Sequence, residues 1–361
     1  MNRLRIAQVA PLFESVPPQG YGGTERIVSY LTEQLVQQGH DVTLFATGDS
    51  ETEAKLVPVR EAALRLDPSV RDWIPHHVVL LERVLASSAQ FDVIHFHTDV
   101  LQMPFGRRLA AASVTTLHGR QDLPDLPQFY REFADAAVVS ISLAQRTPVP
   151  HANFVGNVYH GLPDDLYHLG SGAGGYFAFL GRISPEKRPD TAIEIAKRTG
   201  VPLKIAAKVD AADLEYFESE IEPLLDHPLI EYIGEVSDQD KQEFLGNARA
   251  LLFPIDWPEP FGLVMIEAMA CGTPVLARSR GSVPEVMCDG VSGYVFEDVD
   301  QAVALAAKLG DFDRAGCRAY LERRFTSERM ALDYVRVYEQ LAGPTSRADR
   351  PSQRGWIRHT A

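Results

Sequence analysis

The sequence predicts an α/β protein made of two doubly wound parallel-sheet domains that face each other across a cleft. Three observations carry this expectation. The chain has 361 residues, comfortable for two domains of average size and too long for one small domain. Short apolar runs alternate with longer helix-like patterns in both halves, as in βαβ units whose helices cover both faces of a parallel sheet. A glycine-rich stretch, Leu169-Gly170-Ser171-Gly172-Ala173-Gly174-Gly175, separates the two sets.

In the first half the candidate strands are 6–10, 42–46, 93–97, 114–117, 137–140 and 154–158. Ile27, Leu31 and Leu35 recur every four residues, one apolar face of a helix. Val78, Glu82 and Ala86 repeat that spacing less cleanly. The second half offers strands 176–180, 203–207, 230–233, 250–254, 274–277 and 293–296. Ser282-Val283-Pro284-Glu285 reads as a capping box with proline in the first turn. Ser237 with Asp240 reads as a second cap, and 330–341 as a last helix with Leu332, Val335 and Tyr338 on one face. The domains are expected at 1–168 and 176–326, joined by the glycine stretch as a flexible linker. Residues 344–361 are polar, proline-containing and net basic, and read as a disordered tail.

At 45% hydrophobic and 23% charged, the composition is that of a globular protein. The net charge of −14 excludes a nucleic-acid binder, which needs a basic face to neutralise phosphates. Neither half hides such a face: residues 1–165 carry 13 basic and 19 acidic side chains, and residues 166–361 carry 22 and 30. The same balance argues against stable association with anionic membranes. Cys271, Cys288 and Cys317 are too few and too scattered for a disulfide framework or a metal site, and are expected as buried thiols in a reducing cytoplasm. No run approaches the ~18 apolar residues of a membrane helix, and the chain opens directly into a strand rather than a signal peptide. A soluble, cytoplasmic protein is the expectation.

The chemistry concentrates in Glu259-Pro260-Phe261-Gly262-Leu263-Val264-Met265-Ile266-Glu267, which follows a strand through a loop and opens a helix. Two carboxylates eight residues apart stand about 12 Å apart on a helix rising 1.5 Å per residue. That is the scale of a nucleotide-diphosphate sugar from its hexose to its ribose hydroxyls, and carboxylates are good acceptors for both. Between them Phe261, Gly262, Leu263 and Val264 offer backbone N–H groups where anions are stabilised. A lone pair of glutamates would also fit a helix start whose acidic residue complements the dipole.

The whole string, with the Ala-x-Ala-Cys-Gly-Thr-Pro-Val that ends it, resembles the signature of family 4 glycosyltransferases, retaining enzymes of the two-domain GT-B fold. Four further segments match in order over about residues 4–342: Gly22-Gly23-Thr24-Glu25-Arg26, Gly181-Arg182-Ile183-Ser184-Pro185-Glu186-Lys187, Gly281-Ser282-Val283-Pro284-Glu285, and Gly290-Val291-Ser292-Gly293-Tyr294. The resemblance implies a donor site on the second domain and an acceptor site on the first. It implies that a final helix, 327–342, crosses back to complete the first domain. It assigns Arg182 and Lys187 to the donor diphosphate, which suits two cations just beyond a strand's carboxyl end. It assigns His118 to the transferred sugar and leaves the role of general base as the lesser reading.

Gly22, Gly23 and Gly181 let backbone donors approach a phosphate or sugar closely. Glu259 is expected to orient the sugar and Glu267 to hold the ribose, with the base read near Gly234, Glu235 and Val236. Arg120 and Asp122, on the loop after His118, are candidate acceptor contacts. His160 stands where the family more commonly has asparagine before glycine. Asp238-Gln239-Asp240 has the spacing of a metal motif, but acidic residues in a first helical turn serve the dipole. His95-Phe96-His97 places both rings on one strand face, and reads as cleft-facing histidines rather than ligands.

The expected reaction moves a hexose, from UDP-glucose ahead of GDP-mannose, to a hydroxyl of a soluble carbohydrate or small-molecule acceptor. It is expected to retain configuration and to need no cofactor and no metal. A nucleotide-sugar epimerase, another sugar-processing enzyme of the same architecture, and transfer to a lipid-linked acceptor are the alternatives.

Overall fold

A computed structural model describes residues 3–20 and 22–343, excluding the side chains of Asp238 and Gln239. The expected tail 344–361 lies outside the described residues. The first sheet has seven strands: β1 Arg5–Val9, β2 Asp41–Ala46, β3 Lys55–Pro58, β4 Val93–Phe96, β5 Ala112–Thr116, β6 Val138–Ser140 and β7 Phe154–Asn157. The second has six: β8 Phe177–Arg182, β9 Leu203–Lys208, β10 Ile230–Gly234, β11 Ala250–Phe253, β12 Val275–Arg278 and β13 Gly293–Phe296. Their orders are β3-β2-β1-β4-β5-β6-β7 and β10-β9-β8-β11-β12-β13, with every pairing parallel.

These orders decide where ligands fit. Each sheet reverses its winding once, between β1 and β4 and between β8 and β11. Crossover helices on opposite faces diverge there and leave a crevice at the carboxyl ends of the strands. The central strands explain why apolar runs were legible: β4 and β11 are buried along their whole length. β3 escaped the sequence because it is a half-exposed edge strand with two apolar residues, ended by Pro58.

The helix Gly23–Gln37 buries Ile27, Leu31 and Leu35 as the pattern requires. The helix Ile74–Ser87 does not follow its expected stripe. It buries His77, Leu80, Leu81 and Val84, while Val78 is 51% exposed. The final helix, Ser327–Ala342, buries Met330, Ala331, Tyr334, Val335, Val337 and Tyr338 in one cluster with Ile6, Ile27 and Val93 of the first domain. Leu332, expected on that face, is only half-buried.

Two other expectations change. The glycine stretch is stitched to the second domain, with Gly170, Gly172 and Gly174 donating to Cys271, Gly246 and Asn247 at 2.9 Å each. A Cβ on Gly170 would lie 2.2 Å from the Gly246 carbonyl, so glycine serves close approach here rather than flexibility. The chain instead crosses between domains at two points that pair with each other: Leu162 donates to Phe325, and Ser327 donates to Leu162, both at 2.8 Å. Ser282 and Glu285 also form no capping box, because Val283–Val286 is a single turn. Ser282 Oγ donates to the Phe261 carbonyl, and Glu285 reaches the first domain. The cap at Ser237 forms, its hydroxyl accepting the Asp240 N–H at 3.2 Å. Cys271 and Cys317 are buried free thiols, pushed up to about 12 by burial, and Cys288 is half-buried.

Candidate active site

An open cleft of about 610 Å³ lies between the carboxyl ends of the two sheets. Gly22, Gly23, His118, Gly181, Arg182, Lys187, Glu259, Phe261, Gly262, Leu263, Val264 and Glu267 all line it. Residues from four separate stretches therefore converge as the winding reversals dictate. Gly23, at the first domain's helix start, would place a Cβ 3.5 Å from Leu263 of the second.

Local backbone explains the geometry of the glutamate segment. Gly262 precedes the helix Leu263–Ala270 in a left-handed conformation with φ 78°. A Cβ there would also meet Met265 at 2.7 Å, so glycine is needed twice over. Glu259 thus lies before the helix, not on it, and the distance expected from helical rise does not apply to its first four residues. Gly281 presses on the Glu259 backbone so closely that a Cβ would lie 2.4 Å from it, and Ser282 N–H donates to the Glu259 carbonyl at 3.0 Å. The 281–282 turn therefore fixes where Glu259 points.

Both carboxylates are largely shielded from water and paired with lysines. Lys187 Nζ donates to Glu259 Oε2, which also accepts the indole N–H of Trp257 at 3.0 Å. The ammonium sits 5.1 Å from the Trp257 ring and 5.7 Å from Phe253, where cation–π attraction holds it. Lys241 Nζ donates to Glu267 at 3.1 Å. Arg182 lies at the end of β8, ringed by Glu186 at 3.6 Å and by Asp210 and Asp213 at 3.5 Å. These three contacts are long, and Arg182 lines the cleft. Arg182 and Lys187 thus stand on one side of the cleft, positioned to meet an anion.

On the opposite side the His118 ring stacks on His160, centroids 5.4 Å apart and planes 17° apart, and His160 packs edge-on to Phe261 at 4.9 Å. This stack joins the two domains through the residue expected to be asparagine. Burial drives the imidazoles of His95, His97 and His160 well below their ordinary range and His118 down to about 3. All four are neutral at pH 7. His97 lines the cleft, whereas His95 turns away from it toward the final helix, 2.7 Å from the Tyr338 hydroxyl. Among the described residues no group of three or more potential ligands is arranged for a metal ion.

Glu235, Val236, Arg120 and Asp122 do not line the cleft. Glu235 is exposed on the loop after β10. Arg120 and Asp122 are bound to each other through two hydrogen bonds of 2.7 and 2.8 Å, and Arg120 lies 3.5 Å from Glu186 and over Trp257. Lys241, Trp73, Glu25 and Asp99 are among the cleft residues that escaped the sequence reading. Glu25 stood inside the glycine motif, but its burial, which pushes its carboxyl up to about 7, is a tertiary property. Asp99 has φ 52°, uncommon outside glycine, and makes no side-chain hydrogen bond among the described residues. The Thr98-Asp99 step after a strand carries no signal of that strain.

The sheet topology and the cleft together define a two-domain, doubly wound α/β class with an open interdomain cleft. A family model described as Glycosyl transferases group 1 matches residues 172–313, and one described as Glycosyltransferase Family 4 matches residues 21–147. The chain belongs to this group 1, family 4 set of glycosyltransferases, and its two domains form the GT-B fold. It is 24% identical to a phosphatidyl-myo-inositol mannosyltransferase of Mycolicibacterium smegmatis over 94% of this chain and 95% of that one. It is 26% identical to a D-inositol 3-phosphate glycosyltransferase of the same organism over 77% and 76%. The sucrose-phosphate synthase of Thermosynechococcus elongatus superposes with a TM-score of 0.78 at 17% identity, over 94% of this chain and 99% of that one. No described helix is long and apolar enough to cross a membrane.

Proposed function

We propose that the protein transfers a hexose from a nucleotide-diphosphate sugar to an acceptor hydroxyl with retention of configuration. One observation carries the reading: Glu259 with Lys187, and Glu267 with Lys241, flank the start of the helix Leu263–Ala270 inside the cleft, opposite His118 and the Gly22–Gly23 turn. The donor diphosphate lies against Arg182, Lys187 and the first N–H groups of that helix. These supply positive charge where negative charge develops on the leaving group, with no requirement for a metal. Glu259 accepts hydrogen bonds from the hexose and Glu267 from the ribose. His118, neutral and below the useful range of a base, contacts the sugar rather than removing a proton.

In the transfer step the acceptor oxygen bonds to the anomeric carbon on the face the diphosphate leaves. The bond from that carbon to the phosphate oxygen breaks with its electron pair passing to the phosphate. The acceptor proton passes to the same phosphate oxygen. No nucleophilic carboxylate is invoked.

UDP-glucose is the first donor to test and GDP-mannose the second, which the likeness to a mannosyltransferase recommends. A soluble carbohydrate or small molecule is the favoured acceptor, with a lipid-linked one as the second reading. The test is incubation of the purified protein with each donor, alone and with an acceptor panel, in the presence of chelator. NMR then assigns the product anomer. Inverted product, activity that needs added Mg²⁺, or interconversion of the donor sugar without acceptor would each remove the corresponding part of this proposal.

A further inference from the structure

A continuous chain of buried side chains runs from His118 to the final helix. His118 Nε2 lies 2.8 Å from His97 Nδ1, and His97 Nε2 lies 2.8 Å from Gln8 Oε1. The Gln8 amide nitrogen donates to the Tyr338 hydroxyl at 3.1 Å, and that hydroxyl contacts His95 Nδ1 at 2.7 Å. Gln8, His95 and Tyr338 are fully buried, and His97 is 2% exposed. Nothing in core packing asks for a glutamine in the middle of β1 flanked by two strand histidines. Buried polar groups of this kind must find partners, and here they find each other, with His95 Nε2 also 2.7 Å from the Thr116 hydroxyl.

The chain has a direction, and Gln8 sets it. A neutral imidazole carries one N–H, and burial keeps both His97 and His118 neutral. The Gln8 carbonyl oxygen can only accept, so His97 Nε2 bears the proton and His97 Nδ1 is a lone pair. The contact between His97 and His118 must then be donated by His118 Nε2–H. The remaining nitrogen, His118 Nδ1, is left as an acceptor and has no partner among the described residues, on a ring that lines the cleft. At the far end, the Gln8 amide N–H donates to the Tyr338 hydroxyl, which is free to donate in turn to His95 Nδ1.

We propose that Gln8 and His97 are positioning residues that fix His118 as its Nε2–H tautomer and present Nδ1 to the cleft as an acceptor for a hydroxyl of the donor sugar. The inference rests on the reading of His118 as a sugar contact. It makes the returning helix part of the site's machinery, because Tyr338 anchors the amide that orients the ring. A donor lacking the hydroxyl that meets Nδ1 is discriminated against, since it leaves that acceptor unpaired.

The test is a two-bond ¹H–¹⁵N correlation spectrum of the full chain labelled with ¹⁵N-histidine, with His118→Gln used to assign the signal. The expected spectrum shows His118 protonated on Nε2 at pH 7. Protonation on Nδ1, or an imidazolium, overturns the proposal. Gln8→Met, close in shape but unable to accept this bond, is expected to mix the His118 tautomers. It should also lower kcat for UDP-glucose or GDP-mannose turnover at least tenfold, with nucleotide affinity kept within about threefold. Gln8→Glu, which can still accept from His97, is expected to restore the Nε2–H tautomer. An unchanged tautomer in Gln8→Met overturns the assignment. Titration of the wild type with UDP and GDP separates the two readings: failure to bind either sinks the donor site, while the spectrum still decides the positioning chain.

Discussion

Glu285 of the second domain accepts the backbone N–H of Leu143, in the first domain, at 2.7 Å. Its other oxygen accepts the Ala144 N–H at 2.7 Å, and the Tyr159 hydroxyl donates at 2.9 Å to the oxygen that Leu143 also meets. Burial and this carboxylate push the Tyr159 phenol up to about 12, so it is a donor at neutral pH. A residue that the sequence offers as a helix cap is therefore a clasp between domains. It lies beside the 281–282 turn that aims Glu259, so domain closure and the donor site share one short segment.

Removing the clasp should loosen the interface. Glu285→Ala leaves two backbone N–H groups and a phenol without their acceptor, a loss of about 1.5–3 kcal/mol for bonds to a charged group. The expected outcome is a lower midpoint in urea and a raised donor KM. An unchanged midpoint would mean that the two domains are held by other contacts.

The Lys187–Glu259 pair makes opposite demands on its two members. Lys187→Met removes a charge meant for the diphosphate and leaves Glu259 to the Trp257 indole alone. Glu259→Gln keeps the shape and frees the ammonium. Nucleoside diphosphate affinity should fall at least tenfold in Lys187→Met and hold or rise in Glu259→Gln, while turnover falls in both. Calorimetric titration with UDP and GDP distinguishes them, and equal losses of affinity would contradict the division of labour.

Glu25 gives the fold a pH signature. Burial raises its carboxyl from 4.5 to about 7 in the folded chain. The contribution is therefore fully present below pH 4.5 and is lost as pH rises toward 7, because the unfolded chain ionises first. At about 1.4 kcal/mol per unit the loss is up to about 3 kcal/mol. Glu25→Gln should match the wild-type Tm at pH 4.5 and exceed it by a few degrees at pH 8. A variant no more stable at pH 8 would show that the buried carboxylate is compensated.

The left-handed glycine before the helix is a structural requirement of the site. Gly262→Ala brings a Cβ against Met265 and Phe253 and strains φ 78°. About 1–3 kcal/mol of destabilisation is expected, together with lost turnover because the first N–H groups of the helix move. Unimpaired turnover would show that those groups do not touch the donor.

The sequence by itself determined a great deal. Buried parallel strands such as β4 and β11 must be apolar throughout, and tight turns such as Gly262 and Gly281 need glycine, so both write themselves into composition and spacing. Arg182, Lys187, Glu259 and Glu267 were legible because one motif carries each at the mouth of a strand or at a helix start. Local pattern failed where a side chain answers to a distant partner. Glu285 has the spacing of a cap and binds the other domain, and the Val78 stripe faces water because His77, Leu80 and Val84 met the core first. Arg120 and Asp122 satisfied each other on the loop and left the cleft to Asp99 and Trp73.

The net charge of −14 says nothing of two cations gathered from one turn. Only the tertiary structure decided which groups are buried, and burial decides charge. It made the four histidines neutral, lifted Glu25, and turned Gln8, His97 and Tyr338 into one hydrogen-bonded line. Residues 8, 97, 118 and 338 share no spacing that a sequence could show. They meet because strand order places β1 beside β4, and because the last helix returns to cover them both.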